Sequence, residues 1–296
     1  MFQRFESRRF TLDDGVVING RIGGAGPALL LLHGHPQSHV MWHRVADELA
    51  RHFQVVALDL RGYGDSSRPA STDDEHTNYS KRVMARDAIQ VMRQLGHSRF
   101  MLCAHDRGAR VAHRLALDHP NAVERLMLLD IAPTLAMYEQ TTERFARAYW
   151  HWFFLIQPPP LPERLIDADP ASYVTSVMGR RHAGLSAFDA RALAEYQRCV
   201  SLPGSAHAIC EDYRASAGID LSHDRADREA GRRLALPLKV LWGRHGTVGQ
   251  CFDVLALWRD AAIDVSGRAL DCGHYIAEEQ PAELLHEMLG FFKDKP

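Results

Sequence analysis

Short, mainly apolar runs recur along the chain, each followed by a segment long enough for a helix. The run at 27–32 is apolar at every position, and further predicted strands lie at 54–58, 100–103 and 123–129. A strand with no polar alternation is buried on both faces, as in a parallel sheet covered by helices. The sequence therefore predicts an α/β fold with a mostly parallel, doubly wound central sheet, which places active groups at the carboxyl ends of its strands.

Helices are predicted between these strands, and one long interruption divides the pattern. The predicted helices cover 38–51, 80–95 and 107–118, and the alternation stops near residue 132. It resumes with strands at 238–242 and 263–270 and a last helix at 276–292. A stretch of this length is not a loop, and it is rich in aromatic residues and arginine. We expect a mainly helical cap at 132–235, inserted before the penultimate strand of a core formed by 1–131 and 236–296.

Composition excludes several classes of protein. The net charge is -2 with 17 histidines counted as neutral, and the chain has no basic run of the kind that binds nucleic acid. The five cysteines are scattered without a CxxC pair, so neither a disulfide framework nor a zinc site is indicated. The first ten residues are charged, and no apolar run reaches membrane-spanning length. We therefore expect a cytoplasmic protein that binds neither membranes nor nucleic acid.

The pentapeptide Ala-His-Asp-Arg-Gly at 104–108 joins a predicted strand to a predicted helix. A sharp turn between small residues exposes the middle side chain, here Asp106, beside the unpaired N–H groups of the helix N-terminus. A carboxylate in that position is placed as a nucleophile would be. The alternative is that Asp106 only caps the helix, because aspartate is a favoured N-cap residue.

Hydrolysis through a carboxylate nucleophile also needs a base, an acid that orients the base, and oxyanion donors. His274 follows the last predicted strand and is the candidate base, and Asp130 ends the strand before the cap and is the candidate acid. The backbone N–H groups of His35 and Arg107 are the candidate oxyanion donors. We expect no metal, because the local cluster His33, His35, His39 and His43 has no HExxH motif and no nearby acidic ligand.

Two arginines lie in the first turn of the helix that follows Asp106. Arg107 and Arg110 are three positions apart and therefore lie on neighbouring faces of that helix. Two guanidinium groups can together hold a substrate carboxylate. The alternative for Arg110 is an ordinary salt bridge. Arg107 directly follows the candidate nucleophile and should face the pocket, where a positive charge without a partner is energetically costly.

At this point the chain resembles a known superfamily. The aspartate elbow, the His-Gly-x-Pro turn at 33–36, the Arg-Gly-Tyr-Gly-Asp-Ser loop at 61–66 and the late Gly-His at 273–274 are similar to the α/β-hydrolases of the haloalkane dehalogenase and epoxide hydrolase branch. Within that branch, the segment 105–110 resembles the fluoroacetate (haloacetate) dehalogenases, because the other members usually place tryptophan after the aspartate. Two positions depart from the pattern: Ala104 replaces a glycine, and His35 stands where an aromatic residue is common.

The resemblance implies a reaction and further site residues. It implies hydrolytic dehalogenation of a small 2-haloacid, with fluoroacetate converted to glycolate and fluoride through an ester on Asp106, and it implies no cofactor. The leaving halide would be bound by His151, Trp152 and Tyr213, and the protein would be a homodimer.

Two other functions remain open. An epoxide hydrolase would use the same nucleophile, base and acid with tyrosine donors, and these would be Tyr213 with Tyr149, Tyr173 or Tyr196. A non-catalytic ligand-binding protein could share this fold without using the base. A serine esterase is disfavoured because the chain has no Gly-x-Ser-x-Gly elbow.

Overall fold

The computed structural model describes residues 1–293, which form one eight-stranded sheet covered by helices. The sheet order is β1-β2-β4-β3-β5-β6-β7-β8; β1 and β2 pair antiparallel with their neighbours, and the other strands are parallel. The predicted α/β fold with a mostly parallel sheet is confirmed. The strands are Phe5–Thr11 (β1), Val17–Gly23 (β2), Ala28–Leu32 (β3), Gln54–Leu58 (β4), Phe100–His105 (β5), Val123–Leu129 (β6), Leu238–Gly243 (β7) and Val265–Leu270 (β8).

Helices cover both faces of the sheet and fill the connections between parallel strands. Those outside the long interruption are the 3-10 helices His39–Trp42 and Thr77–Tyr79 and the α-helices Ala46–Leu49, Lys81–Gln94, Asp106–Asp118, Thr247–Cys251, Val254–Ala261, Ile276–Glu279 and Pro281–Lys293. The central strand β3 shows why the apolar runs fold this way, because all five of its side chains are buried between the helical layers. Among the described residues, no helix is both long and apolar enough to cross a membrane.

Between β6 and β7 the chain forms only helices, which we call the inserted helices. They are Thr134–Glu139, Glu143–Ala148, Trp150–Phe154, Leu161–Ala168, Pro170–Gly179, the 3-10 helix Gly184–Ala187, Ala190–Val200, Ser205–Ala217 and Ile219–Glu229. Several of their aromatic side chains, including Trp152, Tyr149 and Tyr213, are fully buried in the same core as the sheet. The inserted helices therefore pack on the sheet rather than standing apart from it.

Three local predictions differ from the structure. The charged strand β1 was not predicted, because it lies at the sheet edge and carries polar side chains on both faces. The predicted helix at 38–51 is instead two short helices: a 3-10 helix that the Ser38 side chain caps and that ends before His43, and the α-helix Ala46–Leu49. The last helix is interrupted before Pro281, which cannot donate a backbone hydrogen bond and begins a new helix.

Candidate active site

The chain turns abruptly from β5 into a helix at Asp106. This residue has a φ of 45°, a left-handed conformation that residues other than glycine seldom adopt. A Cβ at Gly108 would lie 2.3 Å from the carbonyl oxygen of His33, and a Cβ at Gly34 would lie 2.5 Å from the Cβ of Asp106. The turn therefore needs glycine at both places, and it presents the aspartate side chain at the carboxyl end of the central strands.

The Asp106 side chain does not cap its own helix. The N-cap residue is His105, without a side-chain capping bond, and Asp106 Oδ1 instead accepts a hydrogen bond from the backbone N–H of His35 at 3.0 Å. Burial raises the pKa of the Asp106 carboxyl, but the electrostatic influence of His274, His105, Arg110 and Arg107 outweighs burial and holds that pKa well below its usual range. The capping alternative is wrong, and the carboxylate is buried, ionised and bound by a backbone donor.

His274 follows β8 and Asp130 follows β6, the two strands on either side of β7, and their side chains meet beyond the strand ends. His274 Nδ1 lies 2.6 Å from Asp130 Oδ2, and Asp130 Oδ1 accepts a hydrogen bond from the backbone N–H of Gly243 at 2.9 Å. Asp130, like Asp106, has a positive φ, at 49°. Because one carboxylate oxygen is fixed by the backbone, the other fixes the orientation of the imidazole and leaves its Nε2 free to act on water.

The backbone donors expected for an oxyanion lie on either side of Asp106. The His35 N–H already points at the carboxylate, as described above. The Arg107 N–H is in the first turn of the helix Asp106–Asp118, where no preceding turn supplies an acceptor. A charge that develops on an oxygen of Asp106 would therefore lie between two backbone donors.

Arg107 is engaged by a carboxylate that the sequence analysis did not identify. Its Nε and Nη2 donate to Asp212 Oδ2 and Oδ1 at 2.8 and 2.9 Å, and Nη2 also reaches the Asp212 carbonyl oxygen at 2.8 Å. Its Nη1 is buried without a partner among the described residues. The guanidinium carbon lies 4.0 Å from the centre of the Tyr213 ring. Arg107 therefore has its charge compensated within the protein and keeps one donor group for a ligand.

Arg110 differs from Arg107 because no carboxylate in residues 1–293 forms an ion pair with it. Its Nη1 donates to Thr134 Oγ1 at 2.9 Å, its Nη2 contacts Met137 Sδ at 3.3 Å, and its buried Nε has no partner there. The guanidinium lies 4.6 Å from the centre of the Trp152 ring. Burial and the charge of Arg107 lower the pKa of Arg110. The salt-bridge alternative for Arg110 is therefore not seen.

The three residues expected to bind a halide lie on the inserted helices, with His151 and Tyr213 beside each other and Trp152 against Arg110. His151, Trp152 and Tyr213 are each at most 4% exposed, and the rings of His151 and Tyr213 are 6.0 Å apart. Trp152 Nε1 and the Tyr213 hydroxyl have no hydrogen-bond partner among the described residues. Burial, then the charge of Arg181, holds the pKa of His151 well below its usual range, so the ring is neutral. Unpaired buried donors are costly, and an anion held between them would complete their hydrogen bonds.

Comparison with known proteins identifies the family. The family model described as the alpha/beta hydrolase fold matches residues 27–281. The chain belongs to this family. This hydrolase is 44% identical over 294 residues to a fluoroacetate dehalogenase from Burkholderia sp, covering 98% of this chain and 95% of that protein. It is 34% identical over 273 residues to a soluble epoxide hydrolase from Corynebacterium sp. (strain C12), covering 91% of each.

Solved structures agree with that assignment. The crystal structure of ALR0039 from Nostoc sp PCC 7120, described as an alpha/beta hydrolase, superposes on this hydrolase with a TM-score of 0.95. The two sequences are 54% identical, and the superposition covers all of both chains. The resemblance to the α/β-hydrolase superfamily and to its fluoroacetate dehalogenases, which the elbow motif first indicated, is confirmed.

In this hydrolase, Asp212 is the residue that sequence reasoning missed. Besides Arg107, its carboxylate binds Lys81 Nζ and accepts a hydrogen bond from the Tyr63 hydroxyl at 2.7 Å. Burial raises the pKa of Asp212, but Arg107 and Lys81 outweigh burial and lower it. The one available signal was its position next to Tyr213, because its partners are far away in the sequence. Asp212 thus fixes the side chain of Arg107 beside the nucleophile.

The tyrosines considered for an epoxide site have different partners. Tyr196 donates to Glu278 Oε1 at 2.6 Å, and the Tyr173 hydroxyl lies 3.0 Å from His35 Nε2. Of these four tyrosines, Tyr149 and Tyr213 have a buried hydroxyl without a partner among the described residues. The His35 ring, whose pKa burial lowers to about 3, is a neutral group between the elbow and the inserted helices.

Proposed function

We propose that this hydrolase cleaves the carbon–halogen bond of short 2-haloacids, with fluoroacetate as the best candidate substrate. The observation that carries the proposal is Arg110, a buried guanidinium one helical turn from Asp106 that lacks a carboxylate partner in the described residues. A substrate carboxylate would supply the missing charge, and a neutral substrate would not. The similarity to a fluoroacetate dehalogenase supports this choice of substrate.

In the proposed reaction, Arg110 and the free Nη1 of Arg107 hold the substrate carboxylate. An oxygen of Asp106 attacks the halogen-bearing carbon from the side opposite the halogen, and the carbon–halogen bonding pair leaves with the halide. His151, Trp152 and Tyr213 donate hydrogen bonds to that halide. Fluoride is a poor leaving group, so three donors in a water-poor site would favour this step most for a fluoride substrate.

The ester on Asp106 is then hydrolysed. His274, oriented by Asp130, takes a proton from water, and the resulting hydroxide attacks the carboxyl carbon of Asp106. The backbone N–H groups of His35 and Arg107 stabilise the negative charge on the carboxyl oxygen. Collapse of this intermediate breaks the bond between the carboxyl carbon and the ester oxygen, and the proton held by His274 passes to that oxygen. Glycolate leaves with an oxygen that came from Asp106, and the Asp106 carboxyl loses its remaining proton to solvent. No metal or organic cofactor takes part in this scheme.

An isotope experiment tests the ester directly. A single turnover of chloroacetate in ¹⁸O-labelled water should place the label in the Asp106 carboxylate, detected by mass spectrometry of the peptide that contains it. Glycolate from that first turnover should be unlabelled. Label that appears first in glycolate would contradict the assignment of Asp106 as nucleophile. Halide-selective detection with fluoroacetate, chloroacetate and 2-chloropropionate measures the proposed activity itself.

Epoxide hydrolysis is the second candidate function. The buried hydroxyls of Tyr149 and Tyr213, both unpartnered among the described residues, are donors of the kind an epoxide oxygen needs, and a soluble epoxide hydrolase is 34% identical to this chain. Styrene oxide should therefore be tested beside the haloacids. Diol formation without halide release from any haloacid would favour this second function. A non-catalytic binding protein would give neither product.

We also propose an organisation and setting for the enzyme. Residues 132–235 would form a cap domain over a core of 1–131 and 236–296, and two chains would form a homodimer in the cytoplasm. Leu161 and Leu165 support a protein contact, because they are large apolar side chains of the inserted helices with exposures of 56% and 57%. The five cysteines are free thiols, which suits a reducing compartment. Analytical ultracentrifugation and cell fractionation test the two statements.

A further inference from the structure

A cavity of about 480 Å³ leads from the protein surface to the candidate site. Its buried end is lined by His151 and His274, and its open end is lined by Arg147, Arg180 and Arg181. Among the described residues that line it there is no aspartate or glutamate. A cleft lined by one sign of charge between walls of low dielectric concentrates the electric field along its length.

The three arginines of this cavity differ in their partners. Arg147 forms an ion pair with Glu143 at 2.6 Å, so its charge is largely compensated. Arg180 and Arg181 directly follow the inserted helix Pro170–Gly179, and within residues 1–293 neither has a carboxylate at ion-pair distance. We call Arg180 and Arg181 the entrance pair. Their two charges are the uncompensated ones at the open end.

Arg181 is the inner member of the entrance pair. It is partly buried, and its guanidinium carbon lies 4.5 Å from the centre of the Tyr149 ring, a contact that holds the charged group against the cavity wall. Its charge acts on His151 at the buried end, where it opposes protonation of that ring. Arg181 therefore lies between solvent and the candidate halide donors rather than on the outer surface.

We propose that the entrance pair binds the carboxylate of the incoming substrate before Arg110 does, and so selects anionic over neutral substrates. The inference rests on the proposed function for the identity of the anion, a short 2-haloalkanoate. The substrate would pass from Arg181 towards Arg110 through a cavity whose described lining has no aspartate or glutamate. The entrance pair touches neither the halogen nor the reacting carbon in this scheme, so its effect falls on substrate binding and on selectivity.

The test uses the double variant Arg180→Gln/Arg181→Gln with chloroacetate. We expect KM to rise about tenfold, within the range that focused fields produce, while kcat changes less than twofold. In the parent enzyme, kcat/KM should fall as sodium sulfate rises, and this dependence should be much weaker in the double variant. Arg164→Gln is the matched control, because Arg164 is an exposed arginine of the inserted helices outside the cavity. The control should keep both the KM and the salt dependence.

Three further results decide the inference. Arg181→Lys keeps the positive charge, so its KM should lie close to that of the parent enzyme, whereas Arg181→Gln should have a higher KM. An unchanged KM and an unchanged salt dependence in the double variant would overturn the proposal, and so would a loss of kcat at constant KM. Acetate and acetamide binding, measured by calorimetry, gives a readout without turnover: the preference for acetate should fall about tenfold in the double variant. If no haloacid releases halide but this preference falls, the proposed function fails and the entrance pair stands.

Discussion

Replacing Asp212 by asparagine should weaken both the fold and the binding of a haloacid. The substitution removes the charge that compensates Arg107 and Lys81 and turns one acceptor of Arg107 into an amide donor. Breaking a buried ion pair on one side costs about 3–5 kcal/mol. At about 2–4 °C per kcal/mol, Tm should fall by roughly 5–20 °C. In the variant, Lys81 would keep one ion pair, because Asp220 Oδ2 lies 3.4 Å from Lys81 Nζ.

The effect on activity follows from the position of Arg107. Without its anchor, Arg107 loses the orientation of Nη1, which is worth one hydrogen bond to a charged group, or about 1.5–3 kcal/mol. This corresponds to a loss of roughly 10- to 150-fold in kcat/KM for chloroacetate, measured by halide release below the Tm of the variant. Tyr63→Phe is the control, because it removes one hydrogen bond to Asp212 and keeps every charge. A folded Asp212→Asn protein with unchanged kcat/KM would refute this role of Asp212.

Three other changes test separate parts of the structure. Asp106→Asn should abolish halide release, and retained turnover would contradict the nucleophile assignment. Asp130→Asn should lower kcat by roughly 10³–10⁴-fold, because the His274 ring loses the acceptor that fixes its tautomer. A change in KM with kcat unaltered would argue against that role. Glu278→Gln should raise Tm at pH 8.5 but not at pH 5. Burial raises the Glu278 pKa to about 8 from 4.5, so the folded state gains stability from this protonated group below pH 4.5 and loses it as pH rises through 8.

The sequence predicted the sheet well because parallel strands buried on both faces leave a simple pattern. The strands β4 and β6 have the predicted bounds, and β3, β5 and β7 differ by one or two residues at an end. The edge strand β1 has no apolar run, because its exposed positions carry charged residues, and such a sequence is typical of a loop. The prediction of one helix at 38–51 failed because the break between its two short helices is marked by neither proline nor glycine in the sequence.

The site was predictable to the extent that the topology brings strand ends together. Asp106, Asp130 and His274 each follow a parallel strand, so the fold alone places them at one edge of the sheet. Asp212 lies on an inserted helix instead, 105 residues from Arg107. No periodicity or motif links two such positions, because the packing of the inserted helices on the sheet decides which carboxylate reaches the arginine.

The two arginines of the helix Asp106–Asp118 differ in what they imply about the charge of the substrate. Arg107 would be stable in its site with any ligand or none, because Asp212 balances it within the protein. Arg110 has only neutral partners, a threonine hydroxyl, a carbonyl oxygen, a thioether and an indole ring, around a guanidinium that is 3% exposed. The nearby Asp106 carboxylate acts on Arg110 without forming an ion pair with it, so a ligand that brings a carboxylate supplies a direct ion pair that a neutral epoxide cannot. Selectivity for an acid therefore depends on the arginine without a protein partner, although Arg107 is the one beside the nucleophile.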